Sequence, residues 1–185
     1  MRKLLMTLSL LLYTTGLDSS QSQSSATPSL VGSFDADFRR WTARFIPDWE
    51  YPWLKAQCMQ ESLLDPEAVS SAGAVGLCQF MRPAWSECQK ALRHRSPRTD
   101  PQASIMCSAW YMQRMGRIWS GRDRTPAEIL PIAQSSFNAG AGRIIAAQRQ
   151  CGGGRNWIDF ADCMPAEARN YPRFIRNYYY KFGGK

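Results

Sequence analysis

Glu61 closes an apolar stretch, YPWLKAQCMQESLL, and Asp65-Pro66 just beyond it disfavours continuing a helix. A carboxylate at a helix C-terminus faces the negative end of the macrodipole. Partial burial beside Trp53 and Met59 would add a desolvation cost, and both effects favour the protonated form that a general acid needs near neutral pH. An exposed helix glutamate is the bland alternative, and only the surroundings argue against it. In SAGAVGLCQF, small residues lead to Gln79. Gly73 and Gly76 permit a tight turn with close backbone approach, and Gln79 could then aim an amide at a ligand's polar groups. SFNAGAGRI repeats the device, with Asn138 beside Phe137 and followed by glycines at the opening of a helix. Taken singly, either stretch reads equally well as a turn feeding a helix.

The elements that must position these groups read as helices. FDADFRRWTARF places Phe34, Phe38, Trp41 and Phe45 at helical spacing, and YPWLKAQCMQESLL puts Trp53, Leu54, Gln57, Cys58 and Glu61 along one side. PQASIMCSAWYMQRMGRIW is a long helix led by Pro101, with Ile105, Ala109, Met112 and Ile118 in its apolar pattern. TPAEILPIAQSSF opens with Thr125 as N-cap, Pro126 at the first helical position and Glu128 at the third. GRIIAAQRQ stops at Gly152–Gly154, and AEARNYPRFIRNYYYKF forms the last helix, with Pro172 as the place for a bend. Six to eight short helices with little strand signal predict a compact all-α domain.

Residues 1–20 read as a signal peptide, with cleavage anywhere between 16 and 26: Arg2 and Lys3 precede an apolar run too short to span a membrane comfortably. Residues 21–34 read as a polar linker and 35–185 as the folded domain. No cysteine lies near the cleavage site to carry a lipid anchor. The expected location is therefore exported, periplasmic or extracellular, without stable membrane insertion once the signal is removed. The net charge of +8, with 23 basic residues against 15 acidic, favours an anionic partner such as an acidic wall polymer. Export argues against nucleic acid, whose hallmark would be steeply salt-dependent DNA binding.

Six cysteines in an exported chain suggest three disulfides, and sequence does not choose among the 15 pairings. A Cys151–Cys163 bridge would close a short loop around GGGRNWIDFAD, and a Cys58–Cys78 bridge would hold the two motifs together. The one histidine, His94, lies in the basic stretch RHRSPR and reads as solvated. No cysteine–histidine spacing suggests zinc, so neither a metal nor a cofactor is expected.

In order and spacing, Glu61-Ser62, SAGAVGLCQFMRP (71–83), SFNAG (136–140) and PAEARNYPRFI (165–175) together resemble the lytic transglycosylases of the lysozyme-like superfamily. That family's pattern is Glu-Ser, Gly-Leu-Met-Gln, Ala-Tyr-Asn-Ala-Gly and Glu-Thr-x-x-Tyr. DPQASIMCSAWYM is similar to the Asn-Ile helix between its second and third motifs. The resemblance covers about Asp48 to Tyr180. Cys78 replaces the family's Met, Arg82 is inserted before Pro83, Phe137 replaces Tyr and Ala168 replaces Thr. None of these removes the acid.

The resemblance implies a lysozyme-like fold with an open cleft for peptidoglycan strands. It implies cleavage between N-acetylmuramic acid and N-acetylglucosamine. Glu61 would protonate the glycosidic oxygen and then, as base, take the proton of the muramoyl 6-hydroxyl, which closes a 1,6-anhydro ring. The substrate's acetamido group would stand in for a second carboxylate. Ser62, Gln79, Phe137, Asn138 and Tyr171 would contact sugar, the Tyr171 phenol could also hydrogen-bond the acid, and Glu167 would brace the fold. A goose-type lysozyme, which would need a carboxylate to activate water, and a non-catalytic wall-binding relative are the alternatives. The chain is expected to act as a monomer, in wall recycling or alongside secretion, conjugation or phage machinery.

Overall fold

The computed structural model describes residues 34–121 and 123–185, so the expected signal peptide and all but the last residue of the expected linker lie outside the described residues. Eight α-helices and one 3-10 turn occur among the described residues, and the all-α expectation holds. α1 (Asp35–Phe45) carries Asp35 and Asp37 in its first turn and Arg44 in its last, each matched to the helix dipole. α2 (Tyr51–Ser62), α3 (Arg82–Leu92) and α4 (Pro101–Trp119) each begin with a proline at a position where the missing N–H costs nothing. α5 (Pro126–Ala139) has the expected reciprocal cap between Thr125 and Glu128. α6 (Ala141–Gln150) follows across Gly140, and the short α7 (Trp157–Phe160) and a 3-10 turn (Ala161–Cys163) lead into α8 (Ala166–Lys181).

The core is organised around α5, which buries every residue from Ile132 to Phe137 and packs on α4, α6 and α8. α2 lies on α8 and α1, and α1 on α4. Burying a run rather than a stripe explains why α5 is so apolar at its middle. Its two serines are tied down: Trp119 Nε1 donates to Ser136 Oγ at 2.8 Å and Trp157 Nε1 to Ser135 Oγ at 3.0 Å.

Two expectations about helix faces change. α2 buries Pro52 and the whole run from Leu54 to Cys58, not one side. Lys55 is fully buried there because its ammonium has an anion, Asp35 Oδ1, at 2.5 Å and lies over the Phe182 ring. Ile118 faces solvent at 43 % exposure, because Trp119 takes the core position at the end of α4. α8 runs through Pro172 without a break. The carbonyl of Ala168, whose intrahelical donor Pro172 lacks, accepts the Ser135 hydroxyl at 2.9 Å instead.

All three expected disulfides are present, and both anticipated pairings are among them: Cys58–Cys78, Cys88–Cys107 and Cys151–Cys163. His94 departs from its expected solvation. It is half-buried, edge-on to Trp85, with Nε2 3.3 Å from Cys107 Sγ and 3.6 Å from Cys88 Sγ. Those two sulfurs and the imidazole nitrogen have the proximity of a metal cluster, but the sulfurs are bonded to each other and so are not the thiolates a metal would take.

Candidate active site

Glu61 occupies the last turn of α2, as its sequence context required. The helix is ended by Leu63, in the left-handed region at φ 60°, whose N–H returns to the Met59 carbonyl. Leu64 follows at φ 62° and is buried, so the chain turns sharply away and leaves Glu61 at the mouth of the turn. Ser62 stabilises this exit. Its hydroxyl donates to the Leu77 carbonyl at 2.7 Å and accepts the Asp65 N–H at 3.0 Å. The sugar contact expected of Ser62 would compete with those two bonds.

From 110 residues away in sequence, the Tyr171 hydroxyl donates to Glu61 Oε1 at 2.5 Å. Burial first, then the negative charge of Glu61 and the hydrogen bond to it, and then Glu167, push the Tyr171 phenol well above its ordinary range. The phenol therefore keeps its proton throughout the neutral range and acts as a fixed donor. Asn138 joins the group from α5: its Nδ2 lies 3.4 Å from Glu167 Oε1. Glu61, Tyr171, Glu167 and Asn138 thus form a polar cluster where α2, α5 and α8 meet.

The second motif wraps the other side. Gly73 and Gly76 both have positive φ, 82° and 84°, as the small-residue turn demanded. A Cβ on Gly76 would lie 2.0 Å from the Arg98 carbonyl oxygen, so only glycine fits that approach. The Arg98 guanidinium meanwhile donates to the Gly73 and Phe80 carbonyls, each at 2.9 Å. Gln79 is nearly buried and spends its amide N–H groups inside the turn, on the Ala68 and Gly76 carbonyls at 3.1 and 2.9 Å. The Cys58–Cys78 bridge, with Cα atoms 4.4 Å apart, ties this turn to α2 one helical turn before Glu61.

An open cleft of about 680 Å³ runs along this wall. Gln79, Phe137 and Asn138 all line it, and Glu61 is coupled to it through Tyr171, Glu167 and Asn138 rather than being among its lining residues. The floor is aromatic: Phe80, Tyr111 and Phe137 meet edge to face, with ring centroids 5.6 to 6.3 Å apart. Such a surface suits the apolar faces of sugar rings, with polar groups at the rim for hydroxyls. Tyr111 is a cleft residue that sequence reasoning overlooked. It sits in α4, beside the buried Met112 that the periodicity picked out, and its family-like segment was the available signal. Burial and the neighbouring Glu87 raise its phenol, while Arg114 opposes them.

Residues 46–160 match the family described as the transglycosylase SLT domain. A membrane-bound lytic murein transglycosylase F from Alcanivorax borkumensis is 30% identical over 154 residues, covering 71% of this chain and 31% of the relative. The protein of the same name from Vibrio cholerae is 27% identical over 183 residues, covering 83% and 32%. The chain thus spans about a third of the length of these relatives. Among solved structures, the 70 kDa soluble lytic transglycosylase of Escherichia coli superposes with a TM-score of 0.67 at 23% identity, over 82% of this chain and 25% of that one. The same enzyme in complex with bulgecin A aligns equally well.

Proposed function

The chain belongs to the SLT transglycosylase family, and from that premise we propose that it is a peptidoglycan lytic transglycosylase whose single acid and base is Glu61. The observation that carries this reading is the Tyr171 hydroxyl held on Glu61 Oε1 at 2.5 Å beside a cleft walled by the other two motifs. Glu61 protonates the oxygen between N-acetylmuramic acid and N-acetylglucosamine. It then removes the proton of the muramoyl 6-hydroxyl as that oxygen attacks the anomeric carbon, leaving a 1,6-anhydro end. Tyr171, fixed as a donor, holds the carboxyl in one orientation through both proton transfers. The disulfide to Cys78 and the Ser62 bridge to Leu77 fix the distance between the acid and the cleft wall.

In this reading Gln79 shapes the wall, Phe137 and Tyr111 stack against sugar, and Asn138 orients both ligand and Glu167. The substrate is a peptidoglycan strand, and the site of action is outside the cytoplasm. The relatives' names and the basic charge support both points. No helix among the described residues is long and apolar enough to cross a membrane.

Replacing Glu61 with Gln removes the transferable proton and keeps the shape. Release of soluble fragments from purified peptidoglycan should fall by at least about a hundredfold, with the circular dichroism spectrum unchanged. Retention of a tenth of the activity would place the acid elsewhere.

A further inference from the structure

The cleft carries two charged side chains among its lining residues, Glu87 and Arg143. Glu87 is already ion-paired with Arg114. The Arg143 guanidinium is exposed and has no hydrogen-bond or ion-pair partner among the described residues. Arg143 also sits in the first turn of α6, where the helix dipole disfavours a cation, so helix stability does not account for it. A planar, permanently charged fork left open in a ligand cleft is suited to a carboxylate, which it binds through two parallel hydrogen bonds.

Resting on the transglycosylase reading, we infer that Arg143 is a specificity residue that binds a carboxylate borne by the glycan strand near the scissile bond. Two sources present that chemistry. A strand stripped of peptide exposes the lactyl carboxylate of each muramoyl residue. A strand that retains its stem peptide converts that group to an amide and presents the peptide's own carboxylates instead. Arg143 lines the cleft from the first turn of α6, whereas Asn138 of the Glu61 cluster lies at the end of α5. Among the described residues, neither Glu61 nor Tyr171 has a hydrogen bond or ion pair to Arg143, which fits a contact to a group hanging from the sugar rather than to the sugar's reacting centre.

The test compares the full chain with Arg143→Gln and Arg143→Lys on three substrates. These are peptide-bearing strands, amidase-stripped strands, and stripped strands whose lactyl carboxylates have been coupled to methylamine. Arg143→Gln should lose about tenfold in kcat/KM, mostly through KM, on strands with the recognised carboxylate. It should match the unmodified chain on the methylamidated strands, and Arg143→Lys should recover part of the loss. A loss confined to stripped strands assigns the lactyl carboxylate, and one confined to peptide-bearing strands assigns the stem. An equal loss on all three substrates, or no loss on any, would overturn the inference. Strand binding is measured in parallel in the Glu61→Gln background, with and without Arg143→Gln. The role of Arg143 can then be read even if the proposed cleavage chemistry fails.

Discussion

Tyr171 gives Glu61 a donor that does not titrate under working conditions, and this is the residue-scale feature with the sharpest consequence. Removing the hydroxyl with Tyr171→Phe leaves the ring in its buried place on α8 and takes the phenolic donor from the carboxyl. A hydrogen bond to a charged group contributes about 1.5–3 kcal/mol, so kcat should fall by about tenfold or more. Its pH profile should move as well, because the partner that favours the charged acid is gone. An unchanged kcat and profile would show that the contact is incidental. His94 supplies a second prediction. Burial lowers its pKa and Asp100 only partly offsets this. A group whose folded pKa is depressed contributes stability that is present above its unfolded value and lost as pH falls through the folded one. Unfolding experiments should therefore show stability declining as pH drops below the ordinary histidine value of 6.5, and His94→Gln should flatten that decline. The position of His94 against a disulfide was not legible in RHRSPR, because the contact is made with Cys88 on α3 and Cys107 on α4.

At the scale of elements, the cleft wall is a glycine turn clasped by a basic loop, and its two glycines differ in a way that substitution can read. Both have positive φ, but a Cβ at Gly73 meets nothing within 4 Å, whereas at Gly76 it meets the Arg98 backbone. Gly73→Ala should lose about 1 kcal/mol for conformation alone. Gly76→Ala should lose at least about 1–2 kcal/mol more, since backbone must move, and should also raise KM by shifting Gln79 and Phe80. Thermal unfolding of the two variants decides it, and equal losses would contradict the close approach. The glycines and the Thr125–Glu128 cap were legible because local residue chemistry fixes them. The left-handed Leu63, Leu64 and Gln79 were not, because nothing in those side chains favours positive φ. They are held there by tertiary bonds from Ser62 to Leu77 and from the Gln79 amide to Ala68 and Gly76. For the same reason the N–H groups of the Gln79 amide are bonded inside the turn, while the residue still lines the cleft.

Across the whole molecule, three short-range disulfides and a central apolar helix make a rigid frame for a long open cleft. The Cys58–Cys78 and Cys88–Cys107 bridges each close a loop of about twenty residues, and each removes chain entropy worth about 3 kcal/mol from the unfolded state. The helical class was readable because the eight helices of the described residues leave a periodic imprint. The Cys88–Cys107 pair was not, because two cysteines nineteen residues apart meet only once α3 and α4 pack. Only the fold could bring Tyr171 to Glu61, and the four motifs pointed there solely through their resemblance to a family. The central claim is that an internal hydroxyl, not water, attacks the sugar. Mass spectrometry of fragments released from purified peptidoglycan tests it most directly. Muramoyl ends lighter by one water and resistant to borohydride are predicted. Reducing ends would contradict the account, make water the nucleophile, and turn attention to Glu167, the other carboxylate of the Glu61 cluster.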